Sequence, residues 1–207
     1  MKTYTKDSEA RGRSRRIVLA VLGVIKQHGQ RPVLNEEEQE YVNCLNRLQA
    51  ETRFQLTKQG VLKRMESEFA ELVRMSAKRR GHDDVPATIY LIHVNIMKKS
   101  VTKSWYGIIS MVAITGAMIT WIDKLEATNK PLRKLDILAH AKRRIAENVA
   151  NWVAVESTDF VSGMGGWMDI LDYEYYRTKS PYGTASKILA LVCVSSFCIG
   201  VYKLFNF

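Results

Sequence analysis

The sequence predicts an all-α fold in which amphipathic helices surround one apolar helix. The apolar helix is Ser104 to Ile122, which carries no charged residue from Ile108 onward. The segments on both sides of it repeat their apolar residues at helical spacing, and none shows the alternation of a half-buried strand. A hydrophobic content of 46% with only 4 prolines in 207 residues is typical of a folded helical protein.

The apolar stretch itself has two interpretations. A membrane span needs about twenty apolar residues, and this stretch is shorter and contains Ser, Thr and Gly. A helix that is apolar all round is typical of the centre of a soluble bundle. We therefore expect a buried central helix, in which Gly116 and Ala117 are small enough to let another backbone come close.

Two helices are expected near the start of the chain, each with its own start signal. Arg15 to Gly29 has apolar residues at helical spacing, and Ser14 is its candidate N-cap. Asn35 and Glu38 have the form of a capping box, which opens a helix from Glu36 that continues with a weaker pattern to Gly60.

Further helices are expected around and beyond the apolar stretch, about seven or eight in all. Pro86 is suited to a helix start, and GMGGW is expected to form a helix-to-helix turn that needs positive φ angles. The predicted helices are Val61 to Met75, Ala87 to Lys99, Leu132 to Val155, and a short helix within Gly163 to Tyr176.

The C-terminal residues differ from the rest in composition. Ile188 to Tyr202 is uncharged and lies between Lys187 and Lys203, which is typical of a short tail anchor whose lysines reach the membrane surface. A last core helix is the alternative. The expected organisation is a polar leader (1–14), a helical domain (15–178), a linker (179–186) and a C-terminal tail anchor (187–207).

The net charge indicates which partners are expected, and the cysteine content indicates the cellular compartment. A net charge of +10 favours either nucleic acid or an anionic membrane surface. No aromatic-rich basic ribbon accompanies the charge, so we expect a membrane and no nucleic acid. Only 3 cysteines and an N-terminus without an apolar run argue against a secreted, disulfide-stapled protein.

No catalytic constellation is recognisable in the sequence. The 4 histidines are scattered, and each is expected at the surface or at a helix end. No nucleophile elbow or phosphate-binding loop is present, and GMGGW lacks the Lys and the Ser or Thr of such a loop. We therefore expect neither an enzyme nor a bound metal or cofactor.

Two separated motifs resemble those of one known family. In SWYGIISMVAITGAM, Trp105 and Gly116 stand at the same separation as Trp and Gly in the pattern NWGRxxxxxxFGGAL, and Ala117 follows directly. Gly165, Gly166 and Trp167 resemble the family's GGW motif, with an acid and an apolar residue behind them. The chain thus resembles the Bcl-2 family of apoptosis regulators.

The resemblance extends beyond these motifs and implies a fold. RIAENVANW resembles the family's sixth helix, RRIVLAVLGVIKQHG its fourth motif, and LKRMESEF its third motif. The implied fold is a Bcl-2-like helical bundle with a buried central helical hairpin. Five residues are implied to be packing anchors of that fold: Trp105, Gly116, Gly165, Gly166 and Trp167.

The resemblance also implies a function, which is to bind the death-motif helices of pro-apoptotic Bcl-2 proteins in an apolar surface groove. Two walls and a floor are expected for such a helix-in-groove binder. The candidate lining residues are Phe69, Val73 and Met97 on one wall, and Gly107, Ser110 and Ile114 on the floor and far side. Each could instead be an ordinary core residue.

Departures from the family pattern concern the groove. The family's groove Arg is replaced by Gly107, so a charge-assisted contact with a partner's Asp is missing. Lys103 or Lys99 could substitute as a point charge, with less geometric precision. The third motif has Glu66 and Ser67 where the family has Gly-Asp, which makes the stretch a poor killing ligand.

Three functions therefore remain open. The first is a prosurvival, tail-anchored apoptosis inhibitor at the mitochondrial outer membrane, with the endoplasmic reticulum as the alternative location. The second is a pore-forming, pro-apoptotic member of the same family. The third is a membrane-anchored helical adaptor whose groove is occluded or covered in a homodimer. The divergent motifs would suit a virus-encoded copy.

Overall fold

The computed structural model of the chain describes residues 2–23, 32–100, 103–128 and 137–179, and it is all-helical in these ranges, as predicted. Short 3-10 helices lie at His82–Asp84 and Gly166–Met168. The α-helices are α1 (Lys2–Val21), α2 (Glu36–Lys58), α3 (Val61–Arg80), α4 (Val85–Ser100), α5 (Trp105–Thr128), α6 (Ile137–Val155), α7 (Thr158–Gly163) and α8 (Asp169–Lys179).

Helix α5 is the central helix, as the apolar stretch predicts. It packs against α2, α3, α4 and α6, while α1 packs along α6 and α2. By length and composition α5 could also cross a membrane, with a mean hydropathy of 1.6, but 67% of its apolar window is buried inside the bundle. Packing against the other helices buries the apolar surface that a bilayer would otherwise cover.

The first helix begins earlier than the predicted Arg15. Helix α1 begins at Lys2, so Ser14 lies inside the helix, where it is 4% exposed, and is not an N-cap. Arg13 and Arg16 of this region form ion pairs with Glu38 of α2, and the closer nitrogen–oxygen distance is 2.5 Å. The sequence prediction missed this extension because the partner that holds it lies on a different helix.

The capping box that opens α2 is confirmed. The backbone N–H of Glu38 donates to Oδ1 of Asn35 over 2.7 Å, and the Glu38 carboxylate accepts the N–H of Asn35 over 3.4 Å. The helix then continues without a break to Lys58. Glu38 therefore serves two purposes, because it closes the cap and receives Arg16 of α1 at a site where it is 2% exposed.

The remaining boundaries agree with the predictions in part. Helix α3 starts at Val61 as expected but runs to Arg80, beyond the predicted Met75. Helix α7, from Thr158 to Gly163, was not predicted, because its six residues are too few for a periodic pattern. The end of the first helix at Gly29, the start of the sixth at Leu132, most of the linker and the tail anchor lie outside the described residues.

Candidate functional site

The two sequence motifs meet in one aromatic cluster. Trp105 opens α5, and its ring centroid lies 5.4 Å from that of Trp167 and 5.6 Å from that of Phe160. The indole Nε1–H of Trp105 donates to Oδ2 of Asp169, the first residue of α8, over 2.5 Å. Tyr41 of α2 contacts the other side of Trp167, with centroids 6.5 Å apart. The cluster therefore joins α2, α5, α7 and α8.

The turn before Trp167 depends on its two glycines, as predicted. Gly165 has φ 91° and Gly166 has φ 85°, a left-handed conformation that residues with a β-carbon adopt at a cost. This turn points the Trp167 ring into the bundle, where it is 4% exposed. Its Nε1–H donates to Oγ of Ser14 over 2.9 Å, which ties the turn to α1.

The role expected of Gly116 is not observed. A β-carbon built at this position would lie 3.5 Å from Oε1 of Gln49 and 3.9 Å from Cδ2 of Leu22, both ordinary side-chain contacts. No backbone of another helix is among the nearest atoms, so the expectation of a close backbone approach at Gly116 was wrong. Side chains of α2 and of Leu22, which directly follows α1, cover the glycine instead.

The six predicted groove residues do not line an open trough in this structure. Phe69 and Val73 of α3 are 2% and 5% exposed, Met97 of α4 is 7% exposed, and Ile114 of α5 is 3% exposed. Gly107 is also buried, and Ser110 is half-buried. Phe69 of α3 packs against Trp121 of α5, as core residues of adjacent helices do. Their role in binding stays a prediction.

The polar groups of two predicted floor positions differ in whether they have a hydrogen-bond partner. The buried Oγ of Ser110 has no hydrogen-bond partner among the described residues. The N–H of Gly107 donates to Oγ of Ser104 over 3.0 Å, at the start of α5. Lys103, which could replace the missing groove arginine, directly precedes Ser104 and is exposed. The side chain of Lys99, the other candidate, lies outside the described part of the chain.

Helices α3 and α5 meet along a narrow apolar contact that we call the α3–α5 seam. The rings of Phe69 and Trp121 pack edge to face with centroids 5.7 Å apart. Nζ of Lys124 lies 3.1 Å from Oε1 of Glu66. The residual cavity at the seam is only about 10 Å³ and is lined by Leu62, Met65, Glu66, Phe69, Ala117, Met118 and Trp121. That volume accommodates about one water molecule.

A buried histidine lies in the middle of α4, contrary to the expectation that every histidine is at the surface or at a helix end. His93 is 0% exposed. Its Nε2 lies 3.0 Å from Oγ1 of Thr115, and its Nδ1 lies 3.4 Å from Nδ2 of Asn148, which also donates to the Met97 sulfur. Desolvation lowers the pKa of His93 to about 3, so the ring is neutral.

A cavity much larger than the one at the seam lies elsewhere in the described part of the chain. It has a volume of about 260 Å³ and separates α1 from α7 and the Gly-Gly-Trp turn. Glu9, Arg13 and Ser14 line one side of it, and Ser162 and Trp167 line the other. The sequence did not predict this cavity, because neither the N-terminal part of α1 nor α7 was expected to be helical.

Comparisons with known proteins assign neither a family nor a function to this chain. No protein-family model, no curated protein and no solved structure matches this chain. Among the residues that the structure describes, no three His, Cys, Asp or Glu side chains come together as a metal site. Any functional assignment therefore depends on the motif residues and on the geometry described above.

Proposed function

We propose that this chain is a prosurvival Bcl-2-like protein, which inhibits apoptosis by sequestering the death-motif helices of pro-apoptotic Bcl-2 proteins. The observation that carries the proposal is the contact between its two motifs. Trp105 and Trp167 come from distant parts of the sequence, yet their rings pack together and Asp169 accepts the Trp105 N–H. Two motifs that resemble one family and also contact each other support the resemblance more strongly than either motif alone.

The helix-binding role is supported by the arrangement around α5. An amphipathic helix binds by laying apolar residues at positions i, i+3, i+4 and i+7 into a groove between helices. Leu62, Met65 and Phe69 of α3 have this spacing and line the small cavity at the α3–α5 seam, where Phe69 packs against Trp121 of α5. Helix α3 packs on α5 less extensively than on α2 or α4. The α3–α5 seam is thus the least extensive of these three contacts of α3.

The charged contact of the proposed complex falls to a lysine. A partner's Asp would be met by the exposed Lys103, which precedes the buried Gly107. A lysine is a flexible point charge and lacks the bidentate fork of arginine. We therefore expect binding to depend mainly on apolar anchors, and the range of partners to be narrow.

The proposal includes a membrane. The uncharged segment Ile188 to Tyr202, flanked by lysines, would anchor the chain with its helical domain facing the cytosol. The net charge of +10 favours attraction to an anionic surface. We expect the mitochondrial outer membrane, with the endoplasmic reticulum as the alternative.

One observation favours a different member of the same family. Helix α5 is long and apolar enough to span a membrane, as a pore-forming, pro-apoptotic protein would require. The closed seam favours the third possibility, a helical adaptor with an occluded groove. Both alternatives make predictions that differ from those of a prosurvival binder.

Expression in cells tests the direction of the proposed activity. Wild-type chain should protect cells in which a pro-apoptotic Bcl-2 protein is induced, and Lys103→Ala should protect less because the partner's Asp loses its cation. Lys98→Ala, at an exposed position on α4, is the matched control and should protect as well as the wild type. Killing by the chain alone, with leakage from liposomes, would favour the pore-forming alternative.

A further inference from the structure

The cavity between α1 and the Gly-Gly-Trp turn, which we call the α1–turn cavity, has the size of a small-molecule site. Its volume is about 260 Å³, whereas pockets for drug-sized ligands span about 300–1,000 Å³. The hydrogen bond from the Trp167 indole to Oγ of Ser14, which is 2.9 Å long, holds the two sides of the cavity together. The cavity therefore suits a ligand somewhat smaller than a drug-sized molecule.

Two opposite charges line the cavity without neutralising each other. Glu9 and Arg13 stand four positions apart on α1, a spacing at which an acid and a following base usually pair. Arg13 is instead directed to α2, where its nitrogens lie 3.5 Å from Glu37 and 3.9 Å from Glu38. Glu9 is exposed, and its carboxylate has no ion pair among the residues that the structure describes. An anion and a cation thus lie about 6 Å apart along the helix axis.

Arg13 keeps donors for a further anion. Its two distances to α2 exceed the roughly 2.7–2.9 Å of a charge-assisted hydrogen bond. Glu38 has a nearer cation in Arg16, at 2.5 Å. The Arg13 side chain is 33% exposed, and a guanidinium has five N–H donors in all. A carboxylate in the cavity can therefore accept hydrogen bonds from Arg13.

The cavity also has an apolar wall, which is formed by one residue from each of three elements. Ala10 belongs to α1, Val161 to α7 and Trp167 to the turn. Val161 and Trp167 are 5% and 4% exposed, so both are held in place by the surrounding core. An apolar group that lies against this wall would be removed from water, which favours binding.

We propose that the α1–turn cavity binds a free α-amino acid with an apolar side chain. Its carboxylate binds Arg13, its ammonium group binds Glu9, and its side chain lies against the apolar wall. A simple carboxylic acid would meet Glu9 as a like charge, and a simple amine would leave Arg13 without a new partner. A zwitterion matches both groups. This site is separate from the α3–α5 seam and does not depend on the proposed function.

The first experiment uses 4-fluoro-L-phenylalanine as the probe. It is titrated into the full chain in detergent micelles and followed by fluorine NMR, with protein-free micelles as the background. We expect saturable binding with a Kd of about 1 mM or lower. Two analogues, 3-(4-fluorophenyl)propanoate and 2-(4-fluorophenyl)ethylamine, each lack one charge and should bind about two- to five-fold more weakly. Equal binding of all three compounds, or no saturable binding of the amino acid, would overturn the proposal.

The two charged residues are tested by variants with opposite effects on the two analogues. Arg13→Gln and Glu9→Gln should each raise the Kd of the amino acid by about two- to five-fold. Glu9→Gln should also lower the Kd of the propanoate, because a like charge is removed, whereas Arg13→Gln should raise it. Arg15→Gln, at an exposed position outside the cavity lining, is the matched control and should bind as the wild type does.

Glu9→Gln keeps this test decisive even if Arg13→Gln loosens α1, since Glu9 has no ion pair in the described residues to lose. If Glu9→Gln binds the amino acid and the propanoate as the wild type does, the assigned role of Glu9 is overturned, and the proposal with it.

Amide hydrogen exchange then locates the bound probe. At a concentration of ten times its Kd, 4-fluoro-L-phenylalanine should slow exchange in residues 9–14 of α1 by up to about ten-fold, because it joins α1 to α7 and the turn. Helix α4, which does not line the cavity, is the internal reference. Slowing that is no greater in α1 than in α4 would overturn the location of the site.

Discussion

Trp105 joins two distant parts of the chain through one hydrogen bond and two ring contacts. Replacing it with Phe keeps most of the ring but removes the N–H that Asp169 accepts. We expect the free energy of unfolding, measured by urea denaturation, to fall by about 1–3 kcal/mol, as for a hydrogen bond to a charged group. In an Asp169→Ala background the same substitution should have a clearly smaller effect, and an equal loss in both backgrounds would contradict the assignment.

Gly116 matches the family motif, but the packing around it does not require a glycine. An added β-carbon makes ordinary contacts here, and Ala is favoured over Gly inside a helix by about 1 kcal/mol. Gly116→Ala should therefore raise the free energy of unfolding by up to about that amount. The neighbouring Ala117→Gly, measured in parallel by urea denaturation, should lower it. Destabilisation by Gly116→Ala would mean that another backbone does approach this position.

At the scale of elements, the buried His93 makes the stability of the contact between α4, α5 and α6 depend on pH. Nδ1 of His93 faces the amide nitrogen of Asn148, and Nε2 faces the Thr115 hydroxyl, so no carboxylate stabilises a protonated ring. The pKa of His93 is about 3 in the folded chain, below its ordinary value of 6.5. The unfolded chain therefore takes up the proton first, and the stability present above pH 6.5 is lost as the pH falls towards 3.

The expected loss from His93 is about 1.4 kcal/mol for each pH unit in this window. Arg47 also lowers the pKa of Glu174, and that ion pair is likewise lost in acid. The measurement must therefore compare wild type with His93→Gln, which keeps polar atoms but does not titrate. Urea denaturation between pH 7 and pH 4 should show a shallower loss of stability in the variant, and parallel curves would contradict a buried neutral histidine.

The helices that the sequence predicted best are those with local signals. The cap of Asn35 and Glu38 and the turn of Gly165 and Gly166 depend on residues close together in the chain, and both are as predicted. The helical state of residues 2–14 was missed because this segment is polar and carries no apolar stripe, and because the ion pair of Arg13 is made with Glu38 on another helix. Long-range partners of this kind leave no periodic pattern in a single segment.

Whether an apolar residue belongs to the core or to a surface groove was harder to predict. Phe69, Val73, Met97 and Ile114 were predicted as groove residues with core as the alternative, because an apolar stripe has the same spacing in both cases. His93 lies between buried isoleucines at helical spacing, Ile89 and Ile96, and that spacing was the available signal for its burial. Whether a stripe faces a groove or a neighbouring helix depends on how α3 sits on α5, which sequence periodicity does not encode.

At the scale of the whole molecule, the closed seam and the proposed binding role are compatible. If the open arrangement is a minor fraction of the population, the apparent Kd for a helix rises in inverse proportion to that fraction. Weak binding by wild type, with tighter binding by a variant that opens the seam, would then be expected. A protein with no groove would bind equally little in both forms.

Calorimetry with a panel of death-motif peptides tests the central claim most directly. The full chain in mild detergent is titrated with each peptide, and Glu66→Ala, which removes the ion pair with Lys124 at the rim of the seam, is titrated in parallel. We predict that at least one peptide binds with 1:1 stoichiometry and a Kd of about 10 μM or lower, and that it binds Glu66→Ala more tightly. If no peptide binds either protein, the chain is not a death-motif binder.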